Sequence, residues 1–145
     1  MEARIIDNPD ALALVVELLH TNKLPYEDIR LSNSLFLSYH DEDGRLIGSG
    51  GLEFYSQYAL LRSVAVDPEM RGRSIGKHIV HDLLERAGDR AVNEVYLLTE
   101  TAHDFFLKFG FADIKRDSVP SEVKVSSEFS SVCPVSASVM VYRLV

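Results

Sequence analysis

Two stretches of this chain repeat apolar residues at the three- and four-residue spacing of a helix face. Leu12, Val15, Val16 and Leu19 form the first, after Asp7-Asn8-Pro9, where Asn8 suits a cap and Pro9 the first helical turn. Ile75, Ile79, Val80, Leu83, Leu84 and Ala87 form the second, within a helix expected over 73–90. Shorter apolar runs predict strands at 3–6, 34–40, 45–55, 58–66 and 92–98. Asp41-Glu42-Asp43-Gly44 reads as a hairpin turn, so strands two to four make an antiparallel meander. Gly48, Gly50 and Gly51 interrupt the third strand and mark a bulge or a close backbone approach. Residues 22–33 read as a polar connection with a helical turn at 26–30. Thr101-x-x-Asp104 reads as a capping box opening a further helix that ends at Gly110, and Phe111 to Lys115 begins another strand. Residues 117–131 read as a long loop with a helical turn at 127–131, and a closing strand is expected over 135–144.

Composition narrows the class without naming it. A chain of 145 residues holds one domain with a real core, here 1–145, and 46% apolar residues is ordinary for a globular protein. The net charge of −7 argues against general affinity for nucleic acid or an anionic membrane surface. No stretch approaches the ~18 uncharged apolar residues of a membrane span, and the first residues lack a signal-peptide pattern. Cys133 is the single cysteine. It excludes an internal disulfide and fits a buried, inert thiol in a reducing, cytoplasmic setting.

Against that acidic background, residues 64–77 carry a local basic cluster. A β-branched run, Val64-Ala65-Val66, feeds a Pro turn. Arg71-Gly72-Arg73-Ser74-Ile75-Gly76-Lys77 then opens the long helix. Backbone N–H groups, the helix dipole and the cations converge there, which suits a polyanion such as a pyrophosphate. The Walker pattern does not fit: Gly72 to Gly76 is one residue short, and His78 replaces the magnesium-binding Ser or Thr. No G-x-G-x-x-G occurs.

Arg71-x-x-Ser74-x-Gly76 resembles the Q/R-x-x-G-x-G/A signature of the GNAT N-acetyltransferases, with Ser74 where that family usually has Gly. Leu97 to Phe111, with Ala102-x-x-Phe105-Phe106-x-x-x-Gly110-Phe111, resembles the same family's strand and A-x-x-F-Y-x-x-x-G-F helix. The segment is also similar to N-acetylglutamate synthases, which carry W-F at the aromatic pair. The resemblance covers about residues 35 to 115. It implies an α/β (α+β) fold: a central mixed, mostly antiparallel twisted sheet of about six or seven strands, flanked by helices and splayed between strands four and five. It implies acetyl-CoA as cofactor and transfer of its acetyl group to the amine of a small molecule, by direct attack in a ternary complex. Homodimers are common in that family.

Carried over residue by residue, the resemblance implies that Val64, Ala65 and Val66 offer backbone groups to the pantetheine arm, with the Val66 N–H polarising the thioester carbonyl. Arg71, Gly72, Arg73, Ser74, Ile75, Gly76 and Lys77 would hold the pyrophosphate. Thr99, Phe105, Phe106 and Lys108 complete the cofactor set, with Phe106 a wall against the pantetheine. Many relatives place a Tyr hydroxyl near the sulfur as general acid; Phe106 removes it here. That departure keeps open a second reading, an acetyl-CoA-binding sensor without turnover.

A base must deprotonate the acceptor amine. Glu53, in the third strand, and Glu100, just past the fifth, are the candidates, with His103 a surface alternative. His78, His81 and Asp82 share a helix face but supply no identifiable full ligand set, so no metal is assigned. Arg62, with a bidentate fork, is a candidate for holding a substrate carboxylate, completed by Arg116, Ser136 and Ser138. The tail, Arg116-x-x-Val119-Pro120 and Glu128-Phe129-x-x-x-Cys133-Pro134-x-Ser136-Ala137, resembles small GNAT proteins associated with bacterial arsenic-resistance operons. The acceptor expected is an amino acid or an amino-acid-like amine.

Overall fold

A computed structural model describes residues 1–129 and 136–144. Its strands are β1 (Glu2–Ile5), β2 (Ser34–His40), β3 (Leu46–Tyr55), β4 (Tyr58–Val66), β5 (Glu94–Thr99), β6 (Ala112–Asp113) and β7 (Ser138–Arg143); its helices are α1 (Pro9–Thr21), α2 (Ile75–Asp89), α3 (His103–Phe109) and α4 (Ser121–Lys124). The strands form one sheet in the order β1-β2-β3-β4-β5-β7-β6. Only the β4–β5 contact among them is parallel. This is the mixed, mostly antiparallel sheet expected from the sequence.

Helix α1 starts as its sequence dictates: the Asn8 side chain accepts the Ala11 N–H at 2.9 Å, and Pro9 occupies the first turn. Its buried residues are Val15, Leu18 and Leu19, so the stripe is rotated slightly from the expected one. Helix α2 buries Ile75, Ile79, Val80, Leu83, Leu84 and Ala87, the whole expected stripe. It packs against β3, where the glycines create room for close approach. A Cβ on Gly50 would stand 2.5 Å from Leu83 Cδ1, and one on Gly48 2.6 Å from Ile79 Cδ1. On the opposite face, a Cβ on Gly51 would collide with the Phe36 ring at 2.5 Å. The sheet is thus covered on both sides, by α2 and α3 on one and by α1 and the 116–129 segment on the other.

Several local expectations change. Residues 26–30 make a turn rather than a helical turn. Helix α3 has no side-chain cap: Thr99 Oγ1, two residues before Thr101, accepts the Ala102 N–H at 3.0 Å, so the Thr101/Asp104 capping box does not form. The 117–131 loop contains a 3₁₀ turn at Arg116–Ser118 and the short α4. Ser130 and Ser131 of the expected turn, Cys133, and the start of the closing strand at Val135 lie outside the described residues.

Candidate active site

Two features of β4 and β5 build the site. Their pairing begins at Tyr58–Glu94 and stops at Leu60–Tyr96. Beyond that rung the strands part, and the edge of Leu61–Val66 that faces β5 has no strand partner among the described residues. Three residues past the rung, Ser63 and Val64 oppose a single residue of β3, a bulge that places Ser63 at φ 61°. The Ser49 hydroxyl donates to the Ser63 carbonyl at 2.8 Å and pins it. A bulge here turns backbone groups of β4 toward the opening, the splay expected between strands four and five.

A cavity of about 700 Å³ continues from this opening. Val64, Ala65 and Val66 form one wall, Phe105 and Phe106 another, and residues 70–72 and 74–77 the floor. Helix α2 begins without a side-chain cap, and its first backbone bond runs from the His78 N–H to the Ser74 carbonyl at 3.1 Å. The N–H groups of Ile75, Gly76 and Lys77 therefore have no intrahelical acceptor, and these three residues line the cavity. Gly72, at φ 82°, makes the turn that brings them there. Ser74 stands in the left-handed region at φ 61°, the conformation for which Gly is the unstrained choice. A Cβ on Gly76 would meet nothing closer than 3.7 Å, so this side of the helix start is open. Asp67 and Glu69, the acidic residues of the approach, are both paired with Arg45 at 2.8 Å. Their charge is thereby offset near a floor suited to anions.

The expected cofactor residues distribute unevenly over this cavity. Arg71, Gly72, Ser74, Ile75, Gly76 and Lys77 line it, and the Arg71 guanidinium is held by Asn22. Arg73 is exposed and Lys108 borders a neighbouring surface hollow shared with Lys77. Thr99 is engaged in the Ala102 contact rather than facing the cavity. Phe106 is 7% exposed and packs edge-on against Phe105 and Phe111, while Phe105 is the more open ring, facing Gly76.

On the other face of the sheet, Arg62 sits at the centre of a buried ionic cluster. Its side chain is fully buried. Nη1 and Nη2 donate to the two carboxylate oxygens of Asp28 at 2.6 and 2.8 Å, and Nη1 also donates to Glu53 at 3.1 Å. Nε donates to Ser63 Oγ at 3.1 Å and lies 3.5 Å from Glu128. Burial opposes the guanidinium charge, but the Asp28 hydrogen bond and the surrounding carboxylates raise its pKa above the usual value. Burial likewise works against the Asp28 carboxylate, which Arg62 and the Ser127 hydroxyl nevertheless hold below its usual range. Arg62 therefore presents no open fork to a substrate carboxylate, contrary to the expectation from sequence: Asp28 fills it.

Glu53 points inward, 7% exposed, with Tyr55 donating to it at 2.9 Å. It lines a second cavity of about 390 Å³, together with Asp28, Ser34, Tyr55 and Ser127. Glu128 is a group that sequence reasoning missed. Burial pushes its carboxyl up to about 7, against the pull of Arg62. No periodicity marks it; its only signal was its place in the tail pattern.

Glu100 lines the larger cavity and is exposed. His103 is paired with Asp113 at 2.8 Å, and that hydrogen bond raises its pKa. It is then more fully protonated near neutrality, which disfavours it as a base. Asp82 is committed to the Tyr39 hydroxyl at 2.8 Å and to Arg86 at 3.0 Å, and His81 lies near Glu85. Ser136 is exposed in the turn before β7. Arg116 is half-buried against Phe129. Among the described residues, no helix is long and apolar enough to cross a membrane.

Comparison with known proteins agrees with this geometry. The model of a family described as "Acetyltransferase (GNAT) family" matches residues 7–111. An amino-acid acetyltransferase of Mycobacterium tuberculosis is 42% identical over 82 residues, covering 55% of this chain and 46% of that protein. An N-acetyltransferase of Chlorobaculum tepidum is 32% identical over 84 residues, covering 57% of this chain and 54% of its own length. The chain thus spans about half the length of the curated relatives it matches. Among solved structures, Rv2747 of Mycobacterium tuberculosis, crystallised with CoA and a second ligand, superposes with a TM-score of 0.78 at 26% identity over the whole of both chains. N-acetylglutamate synthase of Neisseria gonorrhoeae, at 16% identity, shares the fold with a TM-score of 0.76 over all of this chain and 36% of that one.

Proposed function

The chain belongs to the GNAT acetyltransferase family, whose acyl donor is acetyl-CoA, and from that premise we propose that it transfers the acetyl group to the amine of a small amino-acid-like molecule. One observation carries the reading: the uncapped start of α2 and the parted edge of β4 open into the same cavity. A diphosphate on the Ile75–Lys77 N–H groups leaves the pantetheine arm to run along Val64–Val66 toward the splay. The acceptor approaches from the opposite face, through the cavity bordered by Asp28, Glu53 and Ser127. The name of the M. tuberculosis relative supports an amino acid as that acceptor.

The chemistry follows from the groups at hand. Glu53 borders the acceptor cavity and stands opposite Leu60, at the last paired rung before the splay, so it takes the ammonium proton, directly or through a water. The neutral amine attacks the thioester carbon. The Val66 N–H holds the oxygen as charge develops there. As the C–N bond forms, the C–S bond breaks, and the departing thiolate takes its proton from water because Phe106 offers none. Arg62 keeps Asp28, Glu53 and Glu128 together in a buried setting where like charges would otherwise drive them apart. The single cysteine fits a reducing, cytoplasmic site of action.

Thiol release from acetyl-CoA across a panel of free amines tests the proposal. Turnover with at least one amino acid is expected, together with thermal stabilisation by millimolar acetyl-CoA. Stabilisation without release from any amine would instead favour the sensor reading that Phe106 keeps open. Absence of both would end the proposal.

A further inference from the structure

The charges of the cavity bordered by Asp28 and Glu53 are sorted by depth. Its two carboxylates lie inside: the Asp28 and Glu53 side chains are only about a tenth exposed. Arg62, fully buried, is the cation that Asp28, Glu53 and Glu128 share. Even with Glu128 protonated, this inner group carries more negative charge than positive. The rim differs. Arg30, Ser32, Asn33 and Val125 border the same cavity and are exposed. Among the described residues that line it, Arg30 is the cation. Asp28, two positions away in sequence, is engaged by Arg62 and Ser127, and no ion pair among the described residues includes Arg30. Its positive charge therefore stands at the mouth without a protein carboxylate against it.

A cavity negative within and positive at its rim orients what enters it. A molecule with an ammonium at one end and a carboxylate at the other goes in amine first, because the reverse sets like charges together at both ends. Acetyl transfer needs that orientation, since Glu53 stands opposite Leu60 at the last paired rung before β4 and β5 separate. The volume, about 390 Å³, lies at the lower end of the roughly 300–1,000 Å³ of small-ligand sites and suits one small polar molecule.

Resting on the acetyl-transfer reading above, we propose that Arg30 is a specificity-determining residue: from the rim of the acceptor cavity it pairs with the α-carboxylate of a free amino acid whose ammonium lies against Glu53. The protein then selects zwitterions over their carboxamides, which lack the carboxylate charge, and over diamines, whose second cation Arg30 repels.

The test measures thiol release with the twenty proteinogenic amino acids, each beside its α-carboxamide, and with putrescine as a diamine. An amide's amine is also less basic than the acid's, so the acid-to-amide ratio of kcat/KM is compared between proteins on the same substrates, where basicity cancels. For the accepted amino acids that ratio should fall about fivefold in Arg30→Gln, the scale of an exposed charge pair, and at least about 20-fold in Arg30→Glu, where attraction becomes repulsion. The change should fall mostly on KM, and putrescine should gain in Arg30→Glu. Arg30→Lys should keep most of the ratio, because at an exposed rim the charge matters more than the fork. Arg30 is exposed and does not line the larger cavity, so these variants should fold and bind acetyl-CoA with unchanged Kd. A ratio that survives in Arg30→Glu would overturn the assignment while leaving acetyl transfer standing. So would an equal loss with acids and amides, which would mark a merely structural role. No release from any amine by the unaltered protein would remove the transferase reading and this assignment with it.

Discussion

Replacing Glu128 with Gln should make the protein more stable at alkaline pH and change little at acidic pH. Glu128 is 4% exposed, and burial raises its carboxyl from the ordinary 4.5 to about 7. Its folded pKa thus lies above its unfolded one, and folding favours the protonated acid. As pH rises through 4.5 the unfolded chain ionises first, so stability falls. The fall continues until the folded group also ionises near 7, and levels off there. At about 1.4 kcal/mol per tenfold, the interval from 4.5 to about 7 amounts to about 3 kcal/mol. Gln keeps the shape and can still offer an oxygen toward Arg62, which retains Asp28 and Glu53. Urea unfolding of both proteins between about pH 4 and about pH 8 measures the difference, and acid effects on other groups cancel in it. The advantage of Glu128→Gln should grow by about 3 kcal/mol across that range. A difference independent of pH, or one that shrinks as pH rises, would show that Glu128 is an ordinary ionised partner of Arg62 and refute the reasoning.

Two other variants probe the site from different directions. Ser74→Gly should relieve the left-handed backbone at the start of α2 and raise stability by about 0.5–1 kcal/mol, read as a Tm increase of a few degrees; a lower Tm would mean that the Ser74 side chain contributes something its contacts do not reveal. Glu53→Gln should lower kcat at least about tenfold while leaving the Kd for acetyl-CoA unchanged, and an unaltered kcat would remove Glu53 as the base.

Helices α1, α2 and α3 and the meander were legible in the sequence because each is specified by near neighbours. The six apolar positions of α2 sit on one face whatever they pack against, and Asn8-Pro9 caps α1 with contacts three residues away. The glycine turn that opens α2 was legible for the same reason. Where two local signals competed, the sequence could not choose between them: Thr99 outreached Thr101 for the free N–H before α3. Helix α4 was missed because it buries only Val123, too little to leave a period. The Arg62 cluster was illegible in a different way. Asp28, Glu53 and Glu128 come from a loop, a strand and the tail, and nothing short of the folded sheet brings them onto one guanidinium. That same cluster explains why Arg62, with an apparently available fork, cannot take a substrate carboxylate.

The central claim is that the start of α2 holds the diphosphate of acetyl-CoA, and Gly76→Asp tests it most directly. The new side chain has room, with no neighbour of its Cβ closer than 3.7 Å, and a carboxylate in the first turn favours the helix dipole, so the fold should be kept or slightly stabilised. Set among the N–H groups that would receive the diphosphate, the same charge should raise the Kd for acetyl-CoA, measured by titration calorimetry, by at least about 30-fold with Tm unchanged or higher. An unchanged Kd in a folded Gly76→Asp protein would contradict the account.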